Sequence, residues 1–306
     1  MPSRLHAVYA RLVPRLRKAG EMTGDEPAER ARVEAWHRTL DRKLPTSAVL
    51  QFARHWSVVV EEVAGFPAYV LTPRHRAPTR TVFYLHGGGF MAPISAWQVR
   101  YAARLADAIG ARVVLPDYPL APEHSWRDSF GPITDLAARW AAEPGGMVLA
   151  GDSSGGGYAL AVGLAMRDRG GPQPTHLVLH APWIDLTTST PETDAYDEVD
   201  PWLFKGKMRT YALWWAGSPD DLGRPEVSPG LGDLSGLPPA LMFYGTRDLL
   251  APGCRLLVRR AAAAGWDLTA VETPGLIHVY PLLPYLPEAR VAFAQTVAFL
   301  GGQFVR

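Results

Sequence analysis

The 306-residue sequence contains a single cysteine, Cys254, so an intramolecular disulfide bond is excluded. Nothing in the chain indicates adaptation to an oxidising compartment, and we expect the Cys254 thiol to be buried and unreactive. Long apolar runs are also absent. Basic residues interrupt the first twenty positions, and no later stretch approaches the length of a membrane span. These absences predict a soluble cytoplasmic protein with no stable membrane insertion.

The sequence has no excess of charge of either sign. Its formal net charge is +1, and the basic residues near the start are soon offset by acidic residues between positions 21 and 29. This balance provides no bulk attraction for nucleic acid, so no nucleic-acid partner is expected. Apolar residues make up 47% of the chain and charged residues 20%, as in ordinary globular proteins. The oligomeric state stays open, with a homodimer among the options.

Apolar segments of strand length alternate with helical segments from about residue 56 to the end. Candidate strands cover residues 57–60, 66–71, 81–85, 112–116, 147–150, 176–180, 240–244 and 268–272. Candidate helices cover residues 96–109, 129–142, 154–169, 252–264 and 288–300. The first two strands, separated by a glycine turn, are expected to pair antiparallel. The later alternation predicts an α/β fold with a mostly parallel central sheet flanked by helices.

Two regions fall outside this alternation. Near the start, leucine and valine side chains recur at helical spacing at Leu5, Val8, Leu12 and Leu16, and a second helix is expected over residues 28–40. Residues 185–237 contain no clear strand but carry Trp202, Phe204, Trp214 and Trp215. We predict one domain over residues 1–306, with a helical cap formed by about residues 1–50 and 185–225. The aromatic residues either line a pocket or form a small core of the insertion itself, and the second reading is favoured for any single tryptophan.

Residues 147–157, with the sequence MVLAGDSSGGG, are typical of a strand, a sharp turn and the start of a helix. Gly151 and Gly155 bracket Ser153, where a larger residue on either side would crowd the turn. A serine lifted above a sheet at a helix start suits a nucleophile whose attack creates negative charge. Alone, the Gly-x-Ser-x-Gly pattern is as compatible with an ordinary strand-to-helix turn as with catalysis.

Residues 86–90, with the sequence HGGGF, follow the first parallel strand. Successive glycines leave backbone N–H groups unshielded, and such a loop can stabilise an oxyanion. A phosphate-binding loop is the competing functional interpretation, but its lysine and its Ser/Thr are absent. A purely structural turn is a third alternative.

Only one of the nine histidines, His278, lies in a loop after the last strand, where a base on this architecture is expected. Asp248 follows the strand over residues 240–244 and is the candidate acid that would orient the imidazole. Capping the following helix is an equally good explanation of Asp248 taken alone. Asp267 is a rival that precedes its strand, and Asp152 fits a local structural acceptor better than a catalytic acid.

Taken together, these motifs resemble the hormone-sensitive-lipase-like branch of the α/β-hydrolase superfamily. The resemblance covers about residues 80–300 and is carried by HGGGF (86–90), DYPLAPEH (117–124), GDSSGG (151–156), APW (181–183), GLPPA (236–240), GTRD (245–248) and GLIH (275–278). It implies a catalytic triad of Ser153, Asp248 and His278. It also implies oxyanion donors at Gly88, Gly89 and Ser154, with a supporting role near the nucleophile for Glu123.

The resemblance implies a serine carboxylesterase that hydrolyses short-acyl esters of small molecules through an acyl-enzyme, with neither a metal nor a cofactor. A deacetylase, lactonase or amidase acting on a natural product is the alternative within enzymes. A non-catalytic binding protein on this scaffold is a second class, which retention of His278 disfavours. The chain departs from the usual family residues at Pro119, Ser154, Gly157, Ala181 and Leu249. None of these departures removes a triad member, so they bear on substrate preference.

Overall fold

The structure, a computed structural model, describes residues 2–16 and 24–303. Its strands are β1 (Trp56–Val63), β2 (Phe66–Pro73), β3 (Arg80–Leu85), β4 (Ala111–Pro116), β5 (Met147–Asp152), β6 (His176–His180), β7 (Ala240–Arg247) and β8 (Leu268–Ile277). Its helices are α1 (Arg4–Leu16), α2 (Glu26–His37), α3 (Phe52–His55), α4 (Ala96–Ile109), α5 (Trp126–Ala141), α6 (Ser153–Arg169), α7 (Thr193–Tyr196), α8 (Lys205–Ala216), α9 (Ala251–Ala264) and α10 (Pro287–Leu300). Each strand predicted from the sequence is present.

The strands form one sheet in the order β1-β2-β4-β3-β5-β6-β7-β8. The pairs β1–β2 and β2–β4 are antiparallel, and all later neighbours are parallel. The α/β-hydrolase fold with a mostly parallel sheet is therefore confirmed. Because parallel strands end at a common edge, the carboxyl ends of β3, β5 and β7 bring their following loops together.

The central strand β5 is buried along its whole length. Leu149 packs into the core layer that contains α5 and α6, while Val148 and Ala150 pack into the layer that contains α4 and α10. Successive side chains of a strand point to opposite faces, so an unbroken apolar run is needed when both faces are covered. This double cover fixes the position of β5, and with it the start of α6. Cys254 is buried in α9, as expected.

The first helix presents a different face from the one expected. Leu5, Val8 and Leu12 are exposed, and His6 and Val13 are buried instead; the Leu16 side chain lies outside the described part. Polar contacts explain the orientation, because the Tyr9 hydroxyl donates to the Pro284 carbonyl at 2.6 Å and His6 accepts a backbone hydrogen bond. Helix α1 is thus held on the domain by hydrogen bonds and small apolar contacts.

The insertion over residues 185–237 contains α7 and α8 and, as described, no strand. Its tryptophans do not form a separate core, so that expectation is wrong. The Trp215 ring stacks on Phe90 with 4.2 Å between centroids, and the Trp214 indole N–H donates to Glu26 of α2 at 2.6 Å. The physical reason is that α8 lies between the glycine loop and the N-terminal arm and is buried by both. Across the described ranges, no helix is long and apolar enough to cross a membrane.

Candidate active site

Ser153 sits at a strained turn between β5 and α6. Its φ of +54° lies in the left-handed region, which residues other than glycine seldom adopt. A Cβ on Gly155 would collide with the carbonyl oxygens of Leu85 and His86, and one on Gly151 would collide with the Gly155 carbonyl. The two glycines are therefore required by close backbone approach, as the sequence predicts. The turn places the serine hydroxyl at the carboxyl edge of the sheet, at the N-terminus of a 17-residue helix.

The structure brings the predicted serine, histidine and aspartate into one hydrogen-bonded row. The Nε2 atom of His278 lies 2.9 Å from Ser153 Oγ, and its Nδ1 atom lies 2.9 Å from Asp248 Oδ2. An ionised carboxylate only accepts hydrogen bonds, so Nδ1 carries the proton and Nε2 is free to accept from the serine hydroxyl. The other oxygen of Asp248 accepts from the Leu250 N–H at 2.9 Å. All three side chains are buried.

The surroundings of His278 favour its protonated form. Burial alone would lower the pKa of the imidazole, but the adjacent Asp248 carboxylate, followed in effect by Asp200 and Asp152, raises the pKa above its ordinary value. Opposite charges close to a buried imidazole stabilise imidazolium. A proton on His278 is thus stabilised by the neighbouring carboxylates.

The glycine loop passes directly beside the serine. A Cβ on Gly87 would come within 2.9 Å of the Ser153 Cβ, and Gly88 and Gly89 have positive φ values of 130° and 63°. Within the described residues, the backbone N–H groups of Gly88 and Gly89 donate to no protein acceptor. Ser154 ties the two segments together, because its hydroxyl accepts from the Phe90 N–H at 3.2 Å. Free N–H groups next to a serine can stabilise negative charge on a reacting oxygen.

Asp152 holds the loop and the serine turn in place. Its carboxylate accepts from the Tyr84 hydroxyl at 2.8 Å, from the Gly87 N–H at 3.1 Å and from the Gln98 side-chain amide at 3.0 and 3.1 Å. Burial raises the pKa of Asp152, and these donors oppose that rise. The structure therefore agrees with a local acceptor role rather than a catalytic one.

Glu123 contacts the N-terminal arm. Its carboxylate lies 2.7 Å from Nδ1 of His37, and Nε2 of the same ring lies 2.7 Å from the Met91 carbonyl. Glu123 therefore reaches the end of the glycine loop through His37, a residue that no sequence motif marks. The rival acid Asp267 lies at the opposite sheet edge, where its carbonyl accepts from the Ala240 N–H at the start of β7.

Two residues of the insertion also reach the site: Asp200, which sequence reasoning missed, and Trp202, one of the aromatic residues noted in the insertion. Asp200 is buried and accepts a hydrogen bond from the Leu249 N–H, next to Asp248. Trp202 lies edge to face against the His278 ring, with 5.5 Å between centroids. No sequence signal marks Asp200, because it stands in an irregular segment remote from every motif.

A small cavity of about 20 Å³ lies beside Asp248. It is lined by Trp183, Met208, Leu249 and Leu250 together with polar residues that include Lys205. This volume is about that of one water molecule or one methyl group. Ser153, Asp248 and His278 are not among the residues that line the cavity. In the described ranges, no cluster of three or more His, Cys, Asp or Glu side chains is placed to hold a metal ion.

Comparisons with known proteins identify the family of the chain. A family model described as the alpha/beta hydrolase fold matches residues 82–282, more than half of the chain. An acetyl-hydrolase of Streptomyces hygroscopicus is 34% identical over 233 residues, which cover 74% of this chain and 76% of the relative. Carboxylesterase NlhH of Mycobacterium tuberculosis is 29% identical over 214 residues, which cover 65% of this chain and 66% of the relative.

Among solved structures, an esterase from the bacterial hormone-sensitive lipase family superposes with a TM-score of 0.78 at 28% identity, covering 100% of both chains. The chain therefore belongs to the α/β-hydrolase fold family, in its hormone-sensitive-lipase-like branch.

Proposed function

We propose that this protein is a serine carboxylesterase that hydrolyses short-acyl esters of small molecules, with Ser153 as nucleophile, His278 as general base and Asp248 as the orienting acid. The observation that carries the proposal is the continuous hydrogen-bonded row from Ser153 Oγ through His278 to Asp248, each link 2.9 Å long. Its nucleophile stands on a strained turn beside free loop N–H groups, which is the arrangement that acyl transfer requires.

In the proposed reaction, Ser153 Oγ attacks the ester carbonyl carbon while its proton passes to Nε2 of His278. The carbonyl oxygen becomes an oxyanion, stabilised by the N–H groups of Gly88, Gly89 and Ser154. The bond to the alcohol oxygen then breaks, and the imidazolium returns the proton to the departing alcohol. Water gives a proton to the same imidazole as it attacks the acyl-serine. The bond between the acyl carbon and Ser153 Oγ then breaks, the imidazolium returns its proton to Ser153 Oγ, and the carboxylic acid is released.

A short acyl group is supported by one relative, which is named an acetyl-hydrolase. Hydrolysis of p-nitrophenyl acetate, butyrate and octanoate by wild type and by Ser153→Ala tests the proposal. We expect the acetate or butyrate to be preferred and the variant to lose activity on the order of 10⁴-fold or more. Equal rates for wild type and variant would overturn the assignment of Ser153.

The second candidate class, a non-catalytic binding protein, is disfavoured by the intact hydrogen bond between His278 and Ser153. A fluorophosphonate probe distinguishes the two, because only an activated serine is phosphonylated at an appreciable rate. We expect one label on Ser153 of the folded wild type. Folded protein that hydrolyses no ester and stays unlabelled would favour the binding protein. Amides and lactones in the same panel separate the alternative hydrolase activities.

We further propose that the N-terminal arm and the insertion act together as the cap of a single domain, over about residues 1–50 and 185–225. Hydrogen bonds between them support this, since the Tyr211 hydroxyl of α8 donates to Glu29 of α2 at 2.6 Å. The pKa of Glu29 is lowered to about 2, chiefly by the hydrogen bond from Arg32. Burial opposes this change, and the hydrogen bond from Tyr211 adds to it. Deleting residues 1–50 is expected to expose α8 and to abolish esterase activity, which a panel of esters would measure.

We also infer that two copies associate along the edge strand β1. Val59 and Val60 there are 60% and 57% exposed, although an apolar edge strand invites pairing with another chain. Antiparallel pairing of two copies about a two-fold axis would cover these valines. Sedimentation analysis should show a dimer for wild type and a monomer for Val59→Lys. The matched control is Val291→Lys on α10, also 60% exposed, which should stay dimeric; a monomeric wild type would contradict the inference.

A further inference from the structure

Asp200 connects the insertion to the loop that carries the proposed acid. Its Oδ1 atom accepts from the N–H groups of Trp202 at 2.7 Å and Leu203 at 3.1 Å. Its Oδ2 atom accepts from the N–H of Leu249 at 2.7 Å. One carboxylate thus closes a turn within the insertion and, with its second oxygen, fixes the residue that follows Asp248. The side chain is 4% exposed.

Burying a carboxylate in this position is costly. Burial raises the pKa of Asp200, and the neighbouring negative charge of Asp248 raises it further, while His278 opposes the rise. Two nearby carboxylates repel each other, and a positive charge on the neighbouring imidazole offsets that repulsion. A neutral asparagine would close the same turn without this cost. The turn within the insertion therefore does not by itself explain why residue 200 is an acid.

The turn that Asp200 closes also positions an aromatic ring. Trp202, two residues later, lies at an interplanar angle of 79° to the His278 ring. The insertion consequently contacts both the base, through Trp202, and the acid loop, through Asp200. The titratable groups that act on His278 are Asp248 from the loop after β7, Asp200 from the insertion and Asp152 from the end of β5.

We propose that Asp200 is a positioning residue for the reaction: it fixes the Asp248 loop through Leu249, sets Trp202 against His278, and supplies a second negative charge that stabilises the imidazolium formed during acyl transfer. This inference rests on the proposed function. The insertion would then contribute to catalysis at the Asp248 end of the row, apart from any role in substrate binding.

The test compares Asp200→Asn with wild type in kcat/KM for p-nitrophenyl acetate from pH 5 to pH 9. Asparagine keeps one oxygen for the turn but presents an N–H₂ group to Leu249 and removes the charge. We expect kcat/KM at pH 8 to fall by about tenfold, since small misplacements of catalytic groups have effects of this order. Because the Asp200 charge favours imidazolium, its removal should also move the acidic limb of the profile to lower pH.

Asp197→Asn is the matched control. Asp197 belongs to the same insertion and accepts from the Lys205 N–H at 2.6 Å, so its hydrogen bond stays within the insertion. We expect this variant to retain the wild-type profile. A folded Asp200→Asn protein whose rate falls uniformly, with the acidic limb unmoved, would overturn the proposal, because a merely structural role predicts that result.

Should Asp200→Asn not fold, Asp200→Glu serves in its place. It keeps the charge while displacing the carboxylate, so kcat should fall with the acidic limb near its wild-type position; an unchanged kcat would contradict the proposal. Ser153→Ala separates this inference from the proposed function. Esterase activity retained in Ser153→Ala would contradict the proposed function itself. An inactive Ser153→Ala together with a wild-type profile for Asp200→Asn defeats only the role of Asp200.

Discussion

His6 accepts a hydrogen bond at Nε2 from the backbone N–H of Ile277, 3.1 Å away, and Ile277 immediately precedes His278. The two residues are 271 positions apart in the chain. The first helix therefore fixes the backbone of the loop that carries the proposed base. Only a neutral imidazole can accept this bond, and burial, opposed by Glu288, lowers the pKa of His6.

Replacing His6 with alanine should loosen that loop. Loss of one buried hydrogen bond is expected to lower the free energy of unfolding by about 1–3 kcal/mol at pH 7.5, with a fall in kcat. As the pH falls, His6 of the unfolded wild-type chain takes up a proton near pH 6.5. In the folded protein, His6 takes up its proton only at a lower pH, because its pKa is lowered. The contribution of His6 is thus present above about pH 6.5 and declines as the pH falls toward the lowered folded pKa. Urea unfolding at pH 7.5 and 5.5 measures both effects, and the exposed His75→Ala is the control.

A methyl group on Gly155 should be incompatible with the serine turn. The added Cβ would collide with two backbone carbonyls of the neighbouring strand end, which no side-chain rotation can relieve. We expect Gly155→Ala to lose activity and to melt several degrees lower than wild type. Gly223→Ala is the comparison, because nothing lies within 4 Å of its Cβ position; its melting temperature should stay close to that of wild type. Equal behaviour of the two variants in differential scanning fluorimetry would contradict the close-packed turn.

Gly155 and His6 differ in how well the sequence predicts their roles. The Gly155 constraint was visible because a local pattern, strand then glycine-serine-glycine then helix, has a local physical cause. Hydrophobic periodicity likewise predicted the strands, since burial on both faces leaves a continuous apolar run. The role of His6 was not visible, because its partner is a backbone N–H at the far end of the chain. The apolar spacing of α1 even indicated the wrong face, since buried hydrogen bonds outweighed the exposure of three aliphatic side chains.

The pH dependence of hydrolysis should follow the titration of His278. The imidazole must be neutral to act as a base. Because its pKa is raised above the ordinary value of 6.5, kcat/KM should decline on the acidic side of the profile, and this decline should already begin at a pH above 6.5. Asp248→Asn removes the principal charge that opposes the effect of burial. The acidic limb should therefore move to lower pH, and kcat should fall on the order of 10⁴-fold. Stopped-flow profiles with a short-acyl ester test this, and an unchanged limb in the variant would argue against the pairing of Asp248 with His278.

Trp215 offers a test of whether the insertion shapes the oxyanion loop. Its ring is fully buried and parallel to Phe90 within 4°, directly after Gly88 and Gly89. Truncation to alanine should cost about 3–5 kcal/mol of stability, and the freed Phe90 should let the loop N–H groups move away from the reacting oxygen.

Trp214→Ala is the matched change, because the neighbouring indole donates its hydrogen bond to the N-terminal arm. Both variants should unfold more easily, but only Trp215→Ala should lower kcat among the molecules that remain folded, as counted by fluorophosphonate labelling. If the two variants lose kcat equally, the loop geometry does not depend on this stacking.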